Sequence, residues 1–320
     1  MRMKKLGVAV IGVGFWGQNH ARIYHDLPRA ELVAVCDLDE RKAREAAAKY
    51  GAEAYTDSSE LLKREDVEAV SICTWSTVLA DEASKALKAG KHVLVEKPMT
   101  ASSREAVRLV ELAEQEGLTL AVGFVERFNP GVQHVKELIS SGRLGRVVAL
   151  SSRRLSRWPR RPWDVGVVKD LAIHDVDLMR YLLGEEPTSI YAMVGGLRRA
   201  DVEDYATILL AFPGGTVGLI EANWLTPHKV RVLRVTGSEA TLDLDYLTQQ
   251  VTIRDEEGAF TPTRPWREPL RLELEHFVDC VLSGREPLAS GRDGLAALTL
   301  CELALKSASK GRPIVLKELP

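Results

Sequence analysis

Leu6-Gly7-Val8-Ala9-Val10-Ile11 runs straight into Gly12-Val13-Gly14-Phe15-Trp16-Gly17, and a helix-compatible stretch, Gln18–His25, follows. A short apolar run, then G-x-G-x-x-G, then a helix is the pattern of a dinucleotide-binding βαβ unit. The glycines allow a tight turn and let a pyrophosphate approach backbone N–H groups at the helix start that have no internal partner. The hexapeptide alone also fits a tight strand–helix turn with no ligand, so its surroundings carry the argument. Asp37 closes the next apolar run, Leu32–Cys36, 20 positions after Gly17. A carboxylate there accepts hydrogen bonds from the adenosine ribose hydroxyls and repels a 2′-phosphate, which favours NAD over NADP. Arg41 and Lys42 lie close enough in sequence to soften that preference.

Working outward, Ala69–Cys73, His92–Val95 and Thr119–Val122 are further strand candidates, each short, apolar and rich in β-branched residues. Glu40–Tyr50, Leu79–Ala89 and Ser102–Glu116 read as helices between them, the last opening with Ser102 and Glu105 at capping-box spacing. This alternation implies an α/β domain with a doubly wound parallel sheet, a Rossmann arrangement, over residues 1–123. Beyond Gly123 the rhythm changes. Helical patterns at Val132–Ser140 and His174–Leu183 flank a strand from Val147 and an arginine-rich loop. Then come the runs Ala206–Phe212, Thr216–Asn223 and Val230–Thr236, separated by Gly, Pro and Asn. Two more helices, Leu272–Leu282 and Leu295–Ala308, precede a short strand at Pro313–Leu316. Residues 124–320 therefore read as an α+β substrate-binding and dimerisation domain with a large open, mostly antiparallel sheet. The runs Ala206–Phe212 and Thr216–Ile220 are too apolar to stay wet on the open side, so a homodimer built sheet to sheet is expected.

Composition excludes several classes. The 320 residues are 45% apolar and 28% charged with a net charge of −2, so no global field attracts nucleic acid or an anionic membrane. Met1–Lys5 followed by an apolar run imitates a secretory signal, but Gly12 and Gly14 break the run. Cys36, Cys73, Cys280 and Cys301 form no C-x-x-C pair, which argues against a disulfide framework or a zinc site. A cytoplasmic protein without a metal is the expectation. His174, Asp175 and Asp177 do not converge on one ion from a single helix.

Glu96-Lys97-Pro98 follows the strand His92–Val95, at the carboxyl end of the sheet where doubly wound folds bind ligands. Lys97 there reaches the nicotinamide edge, or else is a surface lysine at a strand end. Thr74, Trp75 and Glu96 end neighbouring strands and join Gly12, Gly14, Phe15, Trp16, Gly17, Asp37 and Lys97 as candidate cofactor contacts. Arg153–Trp163 packs five arginines and two tryptophans into eleven residues. That suits an anion beside a stackable ring, as a nucleoside diphosphate presents, or a solvated basic loop.

The glycine fingerprint with Gly90-Lys91-His92-Val93-Leu94-Val95-Glu96-Lys97-Pro98 resembles the Gfo/Idh/MocA oxidoreductase family, and the resemblance spans nearly the whole chain. In that family an Asp-x-x-x-His motif opens a helix of the second domain. Here it reads Asp170-Leu171-Ala172-Ile173-His174. The resemblance implies a catalytic set of Lys97, Asp170 and His174. Histidine as a residue type titrates near neutrality, so His174 is assigned as proton acceptor, Lys97 as the cation on the substrate oxygen, and Asp170 as a positioning partner. One departure stands out. Family members carry Thr-Pro-Asn-x-x-His where this chain has Thr74-Trp75-Ser76-Thr77-Val78-Leu79.

Phe124–Pro130, Asp164–Val167 and Asn223–Pro227 are similar to the sugar-nucleotide 3-dehydrogenase branch. That likeness implies oxidation at C3 of a UDP-sugar such as UDP-N-acetylglucosamine, with Arg127, Asn129, Arg153, Arg161 and Trp224 as substrate contacts beside the catalytic three. It also allows a homotetramer. A dehydrogenase of a free sugar or polyol, and a non-catalytic NAD-binding regulator, are the competing readings.

Overall fold

The computed structural model describes residues 4–158 and 164–316. Contacts divide the chain into two compact units, residues up to Phe124 with Leu270–Leu295, and Val125–Pro269 with the residues from Ala296 on. The first unit alternates β1 (Leu6–Ile11), α1 (Phe15–Asp26), β2 (Ala30–Cys36), α2 (Glu40–Tyr50), β3 (Glu53–Tyr55), α3 (Ser58–Leu61), β4 (Ala69–Ile72), α4 (Ser76–Lys88), β5 (His92–Val95), α5 (Ser103–Glu116) and β6 (Leu120–Val122). All its strands are parallel, in the order β3-β2-β1-β4-β5-β6. Every residue of β1, β4 and β6 is buried, as the unbroken apolar runs require of strands covered on both faces. Ser102 and Glu105 close the capping box that starts α5. The order reverses between β1 and β4, which opens the crevice at their carboxyl ends.

The second unit holds α6 (Pro130–Ser140), β7 (Val147–Leu155), α7 (Ile173–Leu183), β8 (Ser189–Gly195), β9 (Tyr205–Ala211), β10 (Val217–Asn223), β11 (Val230–Gly237), β12 (Thr241–Asp245), β13 (Gln250–Asp255) and β14 (Gly258–Phe260). The chain ends in α8 (Pro269–Ser283), α9 (Gly291–Lys310) and β15 (Ile314–Val315). Nine strands form one sheet, β14-β13-β12-β11-β7-β10-β9-β8-β15, antiparallel except for β7 with β10. Helices α6 and α7 lie against one face of it. The alternation along the central strands is strict. Ala206, Ile208 and Leu210 of β9 face inward, whereas Tyr205 and Leu209 are exposed on the other side with Val217 and Leu219 of β10.

Within the expected second domain, 124–320, the segment Leu270–Leu295 groups with the first unit. The segment Leu270–Leu295 packs with the first unit because β6 is an edge strand with unspent N–H groups. Val122 N–H donates to the Ala289 carbonyl at 3.0 Å, and Ala121 bridges to Ser290. Arg29 pairs with Asp279 of α8. No helix among the described residues is long and apolar enough to cross a membrane.

Candidate active site

The crevice of the first unit is built from strand ends. Gly12 follows β1 with φ of +87°, and a Cβ on it would stand 2.9 Å from the Cys73 carbonyl and 3.0 Å from Thr74 Cγ2. Both conformation and space thus demand glycine. Gly17, in the first turn of α1, is pressed on Gly12, so that a Cβ there would collide with the Gly12 carbonyl oxygen. Gly14, the residue capping α1, has nothing within 4 Å of its missing Cβ. No side chain caps α1 and no acid lies in its first turn. The helix therefore presents bare N–H groups and its positive end to an open space, the arrangement a pyrophosphate needs.

Asp37 stands at the end of β2. Its Oδ2 accepts from Val13 N–H at 2.9 Å and its Oδ1 from Asp39 N–H at 3.0 Å, so the carboxylate is fixed beside the glycine turn. Arg41 is tied to Glu45 and Lys42 to Asp39, so neither is aimed at a 2′-phosphate. Thr74 Oγ1 is buried with no hydrogen-bond partner, an orphan that a bound ligand would satisfy. Phe15, 76% exposed, and Trp75, 52% exposed, present apolar surface at the carboxyl ends of β1 and β4, and Trp16 packs edge-on against Phe15. Leu38, 93% exposed after Asp37, adds a third apolar surface that the sequence reading missed. These features fit an adenine dinucleotide: glycines and helix N–H groups for the phosphates, Asp37 for the ribose, and exposed apolar side chains for the rings.

At the end of β5 the Lys97–Pro98 peptide is cis. Glu96, expected as a cofactor contact, is half-buried at this strand end and has two partners within the protein. Its carboxylate pairs with the fully buried His20 at 3.3 Å and accepts the Lys97 N–H at 3.2 Å. Glu96 thus supports the backbone that carries Lys97. Leu79, where the family pattern has histidine, is 1% exposed in the core.

In the second unit the chain enters α7 through a π-helical turn, Val168–Ala172, which contains Asp170. Such wide turns recur at functional positions because they re-aim the side chains they carry. Glu203 secures this one by accepting Val168 N–H at 3.1 Å, while its own carbonyl accepts Val167 N–H. Gly166 leaves the room that the Glu203 carboxylate occupies. Asp170 is buried and His174 half-buried, four residues apart on consecutive turns. The two acids just beyond them serve other ends. Asp175 is gripped by Arg154 at 2.7 and 3.2 Å, and Asp177 by Arg127 at 2.8 and 2.6 Å, all four side chains buried. Arg154 also reaches Glu126 at 2.9 Å and lies over the Tyr246 ring.

Several expected substrate contacts have other roles. Arg127 is 3% exposed, locked to Asp177 and stacked on Tyr181. Asn129 is 1% exposed and caps α6, accepting Gly131 N–H and donating to Glu126 and the Tyr246 carbonyl. Trp224 is sealed in the core, edge-on to Trp158. Arg153 projects from the outward face of β7 and pairs with Glu221 at 2.8 Å, on the side of the sheet opposite Arg154 and Asp175. Arg161 lies outside the described residues, as do the adjacent Arg160 and Trp163.

Two family models match, one described as "Oxidoreductase family, NAD-binding Rossmann fold" over residues 6–124 and the other as the GFO/IDH/MocA C-terminal domain over 132–243. The chain is 30% identical to myo-inositol 2-dehydrogenase of Thermotoga maritima, covering 98% of this chain and 99% of that protein. It is also 30% identical to UDP-N-acetylglucosamine 3-dehydrogenase of Acidithiobacillus ferrooxidans, covering 92% and 95%. A solved structure of the Acidithiobacillus enzyme superposes with a TM-score of 0.88 at 29% identity, over 96% of this chain and 99% of that one. With the glycine turn, the fixed Asp37 and the Asp170–His174 helix in place, these matches show that the chain belongs to the Gfo/Idh/MocA family of NAD-binding oxidoreductases.

Proposed function

We propose that the protein oxidises a secondary hydroxyl, at C3, of a sugar nucleotide such as UDP-N-acetylglucosamine to the 3-keto sugar. Bound NAD supplies the hydride acceptor. In this reading His174 takes the hydroxyl proton, the Lys97 ammonium holds the oxygen as charge develops on it, and Asp170 orients the sugar. The entry to α7 supports the proposal: Asp170 lies in the π turn Val168–Ala172 and His174 in the first turn of the helix that follows, four residues on. The likeness to UDP-N-acetylglucosamine 3-dehydrogenase supports the substrate. A free polyol is the second reading, favoured by the match to an inositol dehydrogenase over 98% of the chain.

The test is a screen of reduced-nicotinamide absorbance with UDP-N-acetylglucosamine, inositols and free sugars, each with NAD and NADP. Turnover of the sugar nucleotide with NAD is the expected result, and turnover of free polyols alone overturns the substrate reading. In the pH–rate profile, His174→Asn should abolish the acidic limb that Lys97→Met retains; the reverse outcome exchanges the two roles.

We also propose that the outward face of the nine-stranded sheet packs on a second copy, since Tyr205, Leu209, Val217 and Leu219 form apolar surface there. A cytoplasmic location agrees with four unpaired thiols.

A further inference from the structure

The inward face of the sheet carries two arginines side by side. Arg231 of β11 stands opposite Arg154 of β7 in the strand register. Their surroundings differ. Arg154 is neutralised by Asp175 and Glu126. Arg231 is half-buried, and among the described residues only its Nη1 is engaged, donating to the Leu155 carbonyl at 2.6 Å and the Val230 carbonyl at 2.8 Å. No carboxylate among the described residues pairs with it. Lys229, two residues earlier and exposed just ahead of β11, has no hydrogen-bond or ion-pair partner among the described residues.

Asp175 and Glu126 together balance the charges of Arg154 and Arg231, so Arg231 is offset in the cluster without being paired, and its outer N–H groups remain to receive an acceptor. The electrostatics agree. Burial and then Arg154 push Arg231 down to about 10, against the pull of Asp175, Glu126 and Asp170. Burial, with Arg231 beside it, pushes Lys229 down as well. Arg154, opposite Arg231 in the register, grips Asp175 in the first turn of α7, which puts Arg231 one strand away from that turn.

We propose that Lys229 and Arg231 form a receptor for an oxyanion, phosphoryl or carboxylate, carried by the substrate. The planar fork of Arg231, fixed on one side by two carbonyls, offers its remaining N–H groups in a preset direction, and Lys229 adds a mobile charge. The inference rests on Asp170 and His174 handling the substrate. It explains how a family with neutral polyol relatives accommodates a charged one: selection lies in two cations at the start of β11 rather than in Arg127 or Arg153, which are already spent on Asp177 and Glu221.

The test is calorimetry on the full-length protein saturated with NADH, so that the cofactor's own phosphate sites are filled. Inorganic pyrophosphate, UDP and glucuronate are titrated as probes, with glucose as the neutral control. At least one oxyanion should bind, more weakly as salt rises, and glucose should gain nothing from the pair. Arg231→Gln, which keeps a donor for the Leu155 carbonyl, combined with Lys229→Met should weaken oxyanion binding at least about tenfold while NADH affinity is unchanged. Lys229→Met alone touches no packed group and should already weaken binding and flatten its salt dependence. Tighter UDP than glucuronate identifies a phosphoryl source, and the reverse a carboxylate source. No oxyanion binding to the parent protein, or equal binding in the parent and the variants, overturns the receptor. Oxyanion binding that depends on the pair, in a protein that turns over only neutral polyols, overturns the sugar-nucleotide reading and leaves the receptor standing.

Discussion

Arg154 holds both carboxylate oxygens of Asp175, at 2.7 and 3.2 Å, with neither residue more than 3% exposed. The pair ties the middle of the large sheet to the helix that carries His174. Replacing Arg154 by Met strands the buried Asp175 carboxylate and takes one of the partners of the half-buried Glu126. The expected loss in chemical denaturation is about 3–5 kcal/mol. Arg154→Met with Asp175→Leu should recover a substantial part of it, because the uncompensated charge is removed. A double variant as unstable as the single one would show that the pair's value lies elsewhere.

Gly14 and Gly17 are expected to fail differently when changed to alanine. Gly17→Ala drives a methyl into the Gly12 carbonyl and should lower the melting temperature as well as abolish NAD binding. Gly14→Ala meets nothing within 4 Å in the protein, so the fold should hold while the methyl fills phosphate space. Fluorescence titration should then show NAD affinity reduced roughly tenfold, about 1.4 kcal/mol, with the melting temperature nearly unchanged. Undiminished NAD affinity in Gly14→Ala would place the pyrophosphate elsewhere.

Stability should fall on mild acidification. His92 Nδ1 accepts Thr119 N–H at 3.0 Å and His276 Nε2 accepts Leu288 N–H at 2.9 Å, so protonation of either nitrogen removes an acceptor. Burial pushes both histidines below their ordinary 6.5, in His92 against the opposing pull of Glu68. Well above pH 6.5 both are neutral whether the chain is folded or not, and they contribute nothing to the pH dependence. Below it the unfolded chain binds protons that the folded chain resists, so stability drops as pH falls toward the depressed values. The urea midpoint should decline between about pH 7 and 5, and more gently in His276→Gln. A midpoint flat over that interval would contradict the assignment.

The outward sheet face should set the oligomeric state. Light scattering at micromolar concentration is expected to give a dimer or tetramer, and Leu209→Arg with Leu219→Glu a monomer that keeps its helical and strand content. A monomeric parent protein would remove the interface.

Local constraints were legible in the sequence. Gly12, Gly17 and Asp37 act within a few residues of a strand end, where backbone geometry dictates residue type directly. The capping box at Ser102 and Glu105 is local in the same sense. What the sequence hid is set by partners far along the chain. Arg127 and Asp177 are 50 residues apart, and Asn129 and Tyr246 are 117 apart, so nothing nearby marks the first two as buried. Arg153 was recoverable in principle, because the alternation of a strand sends neighbours to opposite faces. The arginine-rich stretch instead looked like one patch. The return of Leu270–Leu295 to the first unit depends on an edge strand needing a partner, which periodicity does not report.

Strand β7 therefore serves two surfaces at once, Arg153 meeting Glu221 on the outer one and Arg154 meeting Asp175 within. Gaining a single residue ahead of this dipeptide would bring Arg153 to the place where Arg154 now meets Asp175, whereas losing one would bring Leu155 there and leave Asp175 buried without its guanidinium. In descendants of this chain a one-residue deletion ahead of the doublet should therefore be tolerated less well than a one-residue insertion, which the second arginine or a bulge can absorb.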